Sequence, residues 1–143
     1  KSKADALITT PITAAIKAFK LSSFKKIAVL TPYPKDVNIK VYDYLIKQGF
    51  DIKSFSSFNL SYDSEIAQVS LDSIMDGISN INLEKVDGLF VSCTALKIMD
   101  ILEDVEKKFN TTVISSNQAI IWDCLRLIEM DTNISGYGKL FQN

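Results

Sequence analysis

Cys93 lies in GLFVSCTALKIMD (88–100), where an apolar run gives way to an amphipathic one. The chain has one other cysteine, Cys124, and no histidine. A thiol at the end of a strand, with a helix expected from Thr94, meets unpaired backbone N–H groups and the positive end of the helix dipole. Both favour an anion, so the sulfur is placed to act as a thiolate or as a proton donor and acceptor. The competing reading is a small hydrophobe filling a strand end, since free cysteine is commonly buried. Cys124, in IIWDCLRL, shares a stripe with Ile121, Leu125 and Ile128 and is expected in the core.

Tyr33 follows LTP at another strand end, between two prolines that restrict the backbone. Its hydroxyl suits donation to a carboxylate or a developing oxyanion. An aromatic ring covering the sheet edge explains the same residue without chemistry. Thr31, Thr94, Ser116 and Asn117 are further donors at strand–helix junctions, where such residues usually serve as helix caps, and Asp36 reads as a cap too. Without histidine, Ser-His-Asp and Cys-His nucleophiles and histidine-ligated zinc are excluded within this chain. Two cysteines without CxxC spacing make a thiolate metal site improbable. Proton transfer must use Cys, Tyr, Lys or a carboxylate.

Strands alternating with helices must position these groups. KKIAVLT (25–31), FDIKSFSSF (50–58), VDGLFVS (86–92) and TTVISS (111–116) read as strands. Helices are expected over DVNIKVYDYLIKQG (36–49), stopped by Gly49, and over SEIAQVSLDSIMDGISN (64–80). Two more are expected over TALKIMDILEDVEKKF (94–109) and NQAIIWDCLRLIEM (117–130). DALITT with PITAAIKAFK forms one further unit, with Thr10 capping and Pro11 at the first helical position. The tail SGYGKLF is a loop that packs back on the body, and Glu103–Lys107 is an i,i+4 pair on a solvated face. The alternation predicts an α/β fold, three-layer α/β/α around a mainly parallel sheet. Ligands of such sheets bind beyond the carboxyl ends of the strands, where LTPY, VSCT and ISSN fall.

Composition bounds the function. The 143 residues are 47% hydrophobic, enough for one domain with a substantial core. Sixteen Lys and Arg offset 17 Asp and Glu, and no basic block tracks a phosphate backbone, so nucleic acid is not an expected partner. No apolar run is long enough to span a bilayer, so no membrane partner is expected. Two cysteines give no disulfide framework, which fits a reducing cytoplasm. GxGxxG and GxxxxGK[ST] are absent, and five glycines leave little for a nucleotide cradle.

The stretches AVLTPYPKDVN, FVSCTALK, VISSNQAIIWDCLRL and GYGKLF together resemble the aspartate/glutamate racemase superfamily, in its maleate cis-trans isomerase and arylmalonate decarboxylase branch. The resemblance covers most of the chain. It implies a lobe of a two-lobed fold, with residues 1–20 connecting from a first lobe, 21–130 forming the second and 131–143 the tail. It also implies cofactor-independent chemistry on a small carboxylate substrate. Cys93 becomes the second-lobe catalytic cysteine, Tyr33 the substrate-carboxylate or enediolate ligand, and the N–H groups of Thr94 and Ala95 an anion site. A homo-oligomer is compatible with it.

Two departures narrow the resemblance. Ala95 stands where amino-acid racemases of the superfamily have histidine, which favours the isomerase and decarboxylase branch. YDSE (62–65) lacks the asparagine with which maleate isomerases grip a carboxylate; Asn59 is the nearest. The implied activity is an isomerase or lyase acting through a thiol and an enolate-like intermediate at the carbon alpha to a carboxylate. The first-lobe cysteine is not in this sequence. Rival readings are a non-catalytic flavodoxin-like ligand-binding domain and a thiol hydrolase, the latter weakened by the absence of histidine.

Overall fold

The computed structural model describes residues 6–142. Four strands form one fully parallel sheet in the order β2-β1-β3-β4: β1 (Lys26–Thr31), β2 (Asp51–Ser57), β3 (Gly88–Val91) and β4 (Val113–Ser115). Alternation splits their side chains between two cores. Ile27, Val29, Phe90 and Ile114 face α1 (Pro11–Leu21), α2 (Lys35–Lys47) and α6 (Ser116–Leu127). Ala28, Leu30, Leu89, Val91 and Val113 face α3 (Asp63–Ile66), α4 (Leu71–Ser79) and α5 (Leu102–Phe109). The three-layer expectation holds, with both sheet faces covered.

Several local signals act as read. Thr10 accepts a bond from the Thr13 N–H and Pro11 opens α1. Gly49, at φ +91°, ends α2 in a conformation that suits glycine. Lys107 and Glu103 pair at 3.6 Å. The tail folds back through a short 3₁₀ turn (Lys139–Gln142), burying Leu140 and Phe141. Glu106 accepts from the N–H groups of Val113 and Lys139, and Gln118 donates to the Tyr137 carbonyl.

Other expectations are corrected. Residues 6–10 form no strand, and Asp5 lies outside the described residues; Thr9 is instead tied by its hydroxyl to Asp123 on α6. The helix expected over 64–80 is broken at 67–70, because the Ser70 hydroxyl accepts from the Ser73 N–H and starts a fresh helix. Asp36 lies inside the first turn of α2, whose cap position is Pro34. Cys124 is exposed, with Ile121 and Ile128 exposed beside it; the buried side of α6 carries Gln118, Ala119, Trp122 and Asp123. The core-facing side differs from the apolar stripe because a buried Asp123 paired with Lys17 occupies a core-facing position.

The largest correction concerns residues 94–101. No helix starts at Thr94: the chain turns through 94–97, passes a 3₁₀ turn (Ile98–Ile101) and becomes α-helical only at Leu102. Leu96, Leu102 and Val105 are buried as their spacing suggests. Such spacing reports which residues point inward, and a tight turn satisfies it as well as a helix does.

Candidate active site

The strand order reverses direction between β1 and β3, so their carboxyl ends flank the crevice where parallel sheets place ligands. Leu30 pairs with Val91 across this seam. Tyr33 lies three residues beyond Leu30 and Cys93 two beyond Val91. A cleft of about 500 Å³ opens above them, lined by Tyr33, Ser92, Cys93, Thr94 and Ser116 and walled by Ile12, Val37, Val41 and Tyr44.

Cys93 is 8% exposed, with that exposure in the cleft wall. Its backbone has φ +110°, a left-handed conformation that costs a non-glycine residue about 1–3 kcal/mol. The surrounding turn holds it there. The Ser92 N–H donates to the Leu30 carbonyl, the Cys93 N–H to Ser116 Oγ at 3.0 Å, and Asn117 Nδ2 to the Thr94 carbonyl at 2.9 Å. Thus Ser116 and Asn117 brace the turn, while Ser115 caps α6 in a reciprocal bond pair with Gln118. The Ala95 N–H donates to Cys93 Sγ at 3.4 Å.

The helix terminus beside Cys93 therefore belongs to α6, which arrives from the next strand. Pro11 and Ile12 open α1, and α2 begins two residues after Tyr33, so three helix N-termini border the cleft. Their dipoles make the cleft favourable to an anion.

Tyr33 is half-buried, and its backbone is clamped from two sides. Its carbonyl accepts from Asn38 Nδ2 at 2.7 Å and Ser57 Oγ at 2.6 Å, while Thr31 donates to Asn38. Its phenol interacts with the side chains of Cys93 and Ser92. Burial, reinforced by the neighbouring Cys93, holds the phenol protonated well above the usual tyrosine range. Tyr33 is thus a neutral donor at any ordinary pH.

Of the expected site residues, Cys93 and Tyr33 are brought into contact and Thr94 lines the same cleft. Ala95 reaches the site only through its bond to the sulfur. Asn59 borders a separate cleft with Lys35, Tyr42 and Phe55. Sequence reading missed Lys40, Ser92 and the bracing roles of Asn38 and Ser57. The signal for Lys40 is its place between Val37 and Val41 on the cleft-lining side of α2. Among the described residues no three His, Cys, Asp or Glu side chains converge to hold a metal ion, and no helix is long and apolar enough to cross a membrane.

A thiol on a strained turn, beside a neutral phenol in a cleft bordered by helix N-termini, is the geometry on which the comparisons bear. The family model for arylmalonate decarboxylase matches residues 1–141. The chain belongs to the arylmalonate decarboxylase family. It is 24% identical over 138 residues to the maleate isomerase of Nocardia farcinica, covering 96% of this chain and 55% of that protein. It is 26% identical over 136 residues to the arylmalonate decarboxylase of Bordetella bronchiseptica, covering 93% and 57%. Among solved structures, it superposes on a Nocardia farcinica maleate cis-trans isomerase mutant with a covalently bound succinylcysteine intermediate, at TM-score 0.94 and 22% identity, over 97% of this chain and 57% of that one. A crystal structure of arylmalonate decarboxylase gives TM-score 0.83 at 26% identity, over 93% and 60%. The chain spans about half the length of the curated relatives it matches.

Proposed function

We propose that this chain is the second, thiol-bearing lobe of a cofactor-independent cytoplasmic isomerase of the maleate isomerase kind. It acts at the carbon alpha to a carboxylate of a small dicarboxylic acid. The observation that carries the proposal is the Tyr33–Cys93 contact at the base of a cleft bordered by three helix N-termini. The substrate carboxylate lies against those N-termini and the Tyr33 hydroxyl. As the alpha carbon gains carbanion character, negative charge moves onto the carboxylate oxygens, and the same donors stabilise the enediolate that forms. Cys93 gives or takes the proton at that carbon. In the isomerase form, a nucleophile from outside this chain adds to the double bond, the single bond so formed rotates, and elimination restores the alkene. Residues 1–20 connect this lobe to the one that supplies the nucleophile.

A decarboxylase is the second reading, and the apolar cleft wall of Ile12, Val37, Val41 and Tyr44 favours it, because such a wall suits an aryl or alkyl substituent. Loss of carbon dioxide would leave the same enediolate, which Cys93 would protonate. The test assays the complete encoded polypeptide with maleate and with phenylmalonate. Conversion of maleate to fumarate, lost by about a thousandfold or more in Cys93→Ser, supports the first reading. Carbon dioxide release from phenylmalonate alone selects the second. Turnover unaffected by Cys93→Ser overturns both.

A further inference from the structure

The cleft above Cys93 has one charged side chain in its lining, Lys40, among the described residues. Val37, Lys40, Val41 and Tyr44 are spaced i, i+3, i+4 and i+7, which puts all four on the same face of α2. That face lines the same cleft as Ser92, Cys93 and Thr94. Lys40 sits five residues into the helix, roughly 7.5 Å of axial rise beyond its first residue. It is thus more than one helical turn from the N-terminus of α2.

Lys40 also has no ion-pair partner among the described residues. Asp36 and Asp43 are one helical turn to either side of it, yet neither is paired with it. A flexible ammonium without a partner, on an otherwise apolar wall, presents a point charge to whatever occupies the cleft.

We infer that Lys40 is a specificity residue: it binds a second carboxylate of the substrate while the reacting carboxylate occupies the floor beside Tyr33 and Cys93. This rests on the thiol-site reading above and deepens it, because it selects a dianionic substrate over a monoanionic one of the same shape. It also supplies a carboxylate anchor to a cleft from which Asn59 is absent. A purely apolar wall would favour the opposite choice.

The test measures how ligands protect Cys93 from iodoacetamide in the complete polypeptide, with the Cys93 peptide quantified by mass spectrometry. Maleate and its half-amide maleamate are matched in shape and differ by one charge. Maleate should give half-protection at about tenfold lower concentration than maleamate. Lys40→Met should erase that difference by weakening maleate alone, and Lys40→Arg should retain most of it. Lys40 is exposed, so neither substitution threatens the core. Equal protection by the two ligands in the unaltered protein, or a maleate preference that survives Lys40→Met, overturns the assignment and leaves the thiol site standing. Protection by neither ligand overturns the assignment together with the site reading beneath it.

Discussion

Tyr33 and Cys93, from the ends of adjacent strands, line one cleft and interact across the seam where the sheet reverses its order. Burial and the neighbouring Cys93 raise the Tyr33 ionisation well above its ordinary value of 10.0. Because the folded value is raised, the stability Tyr33 contributes is complete below pH 10 and drains away as pH climbs toward the folded value. Ultraviolet titration of folded protein should show no Tyr33 transition near pH 10, so Tyr33→Phe should leave the curve up to pH 11 unchanged. A missing tyrosine equivalent in the variant near pH 10 contradicts this account. The same variant should alkylate more slowly at Cys93 at pH 7, having lost the hydroxyl beside the sulfur.

Cys93 pays for its position with a backbone at φ +110°, and that cost can be measured. In an ordinary site glycine is less stable than alanine by about 0.5–1 kcal/mol. Here the order should invert, with Cys93→Gly more stable than Cys93→Ala by about 1 kcal/mol in urea unfolding. Both lose the thiol, so side-chain packing differs between them by one methyl group only. Alanine as the more stable replacement would show that the turn is unstrained.

The four strands and their order along the chain are legible: β1, β3 and β4, buried on both faces, read as apolar runs such as LFV and IAVL, and the half-buried edge strand β2 reads from its spaced Ile52 and Phe55. The strand ends pointed to Tyr33 and Cys93 for the same reason: in a parallel sheet all carboxyl ends lie on one side. What sequence could not show was the turn after Cys93. Apolar spacing gives direction of burial and is silent on φ, so a bend and a 3₁₀ turn passed for helix. Ser116 and Asn117 read as caps in sequence because a hydroxyl or amide at a junction has several partners within reach. Only the fold decides that Ser115 caps α6 while Ser116 supports Cys93. Cys124 lies outside the core because a buried carboxylate, Asp123, occupies the inward side of α6, which hydrophobic patterning assigns to apolar residues.

The tail behaves as a strap over α5, and Gly138 is its tightest point. A Cβ there would fall 2.1 Å from Leu102 Cδ2, and the backbone is at φ +85°. Gly138→Ala should therefore destabilise the fold by about 1–3 kcal/mol. Glu106→Ala, which leaves the N–H groups of Val113 and Lys139 without their acceptor, should cost a similar amount. Differential scanning fluorimetry, with proteolysis at the tail as a local readout, checks both. Melting temperatures unchanged by either substitution would mean that the strap contributes nothing.

Asp123 offers the clearest pH signature. It is almost fully buried on α6 and joins two parts of the N-terminal region, accepting from Lys17 Nζ at 2.7 Å and Thr9 Oγ1 at 2.6 Å. Burial pushes its carboxyl up, but the bonds from Lys17 and Thr9, with the charges of Lys17 and Arg126, outweigh that and hold it below its usual 3.8. A depressed folded value contributes stability that is present above the unfolded value and is lost as pH falls through the folded one. Lys17 is 38% exposed, so solvent screens the pair and its share is about 1 kcal/mol. Asp123→Asn should accordingly be less stable than the unaltered chain by about that amount at pH 7, with the gap closing toward pH 3. Glu106 works in the opposite sense, since burial raises its carboxyl and its contribution fades as pH rises above the usual carboxylate range. It is common to both proteins and cancels in the comparison. Urea titrations from pH 3 to 7 measure the gap directly. A difference that stays constant across that range would mean that Asp123 holds α1 to α6 by shape and neutral hydrogen bonds, and that its charge is not what ties the two helices together.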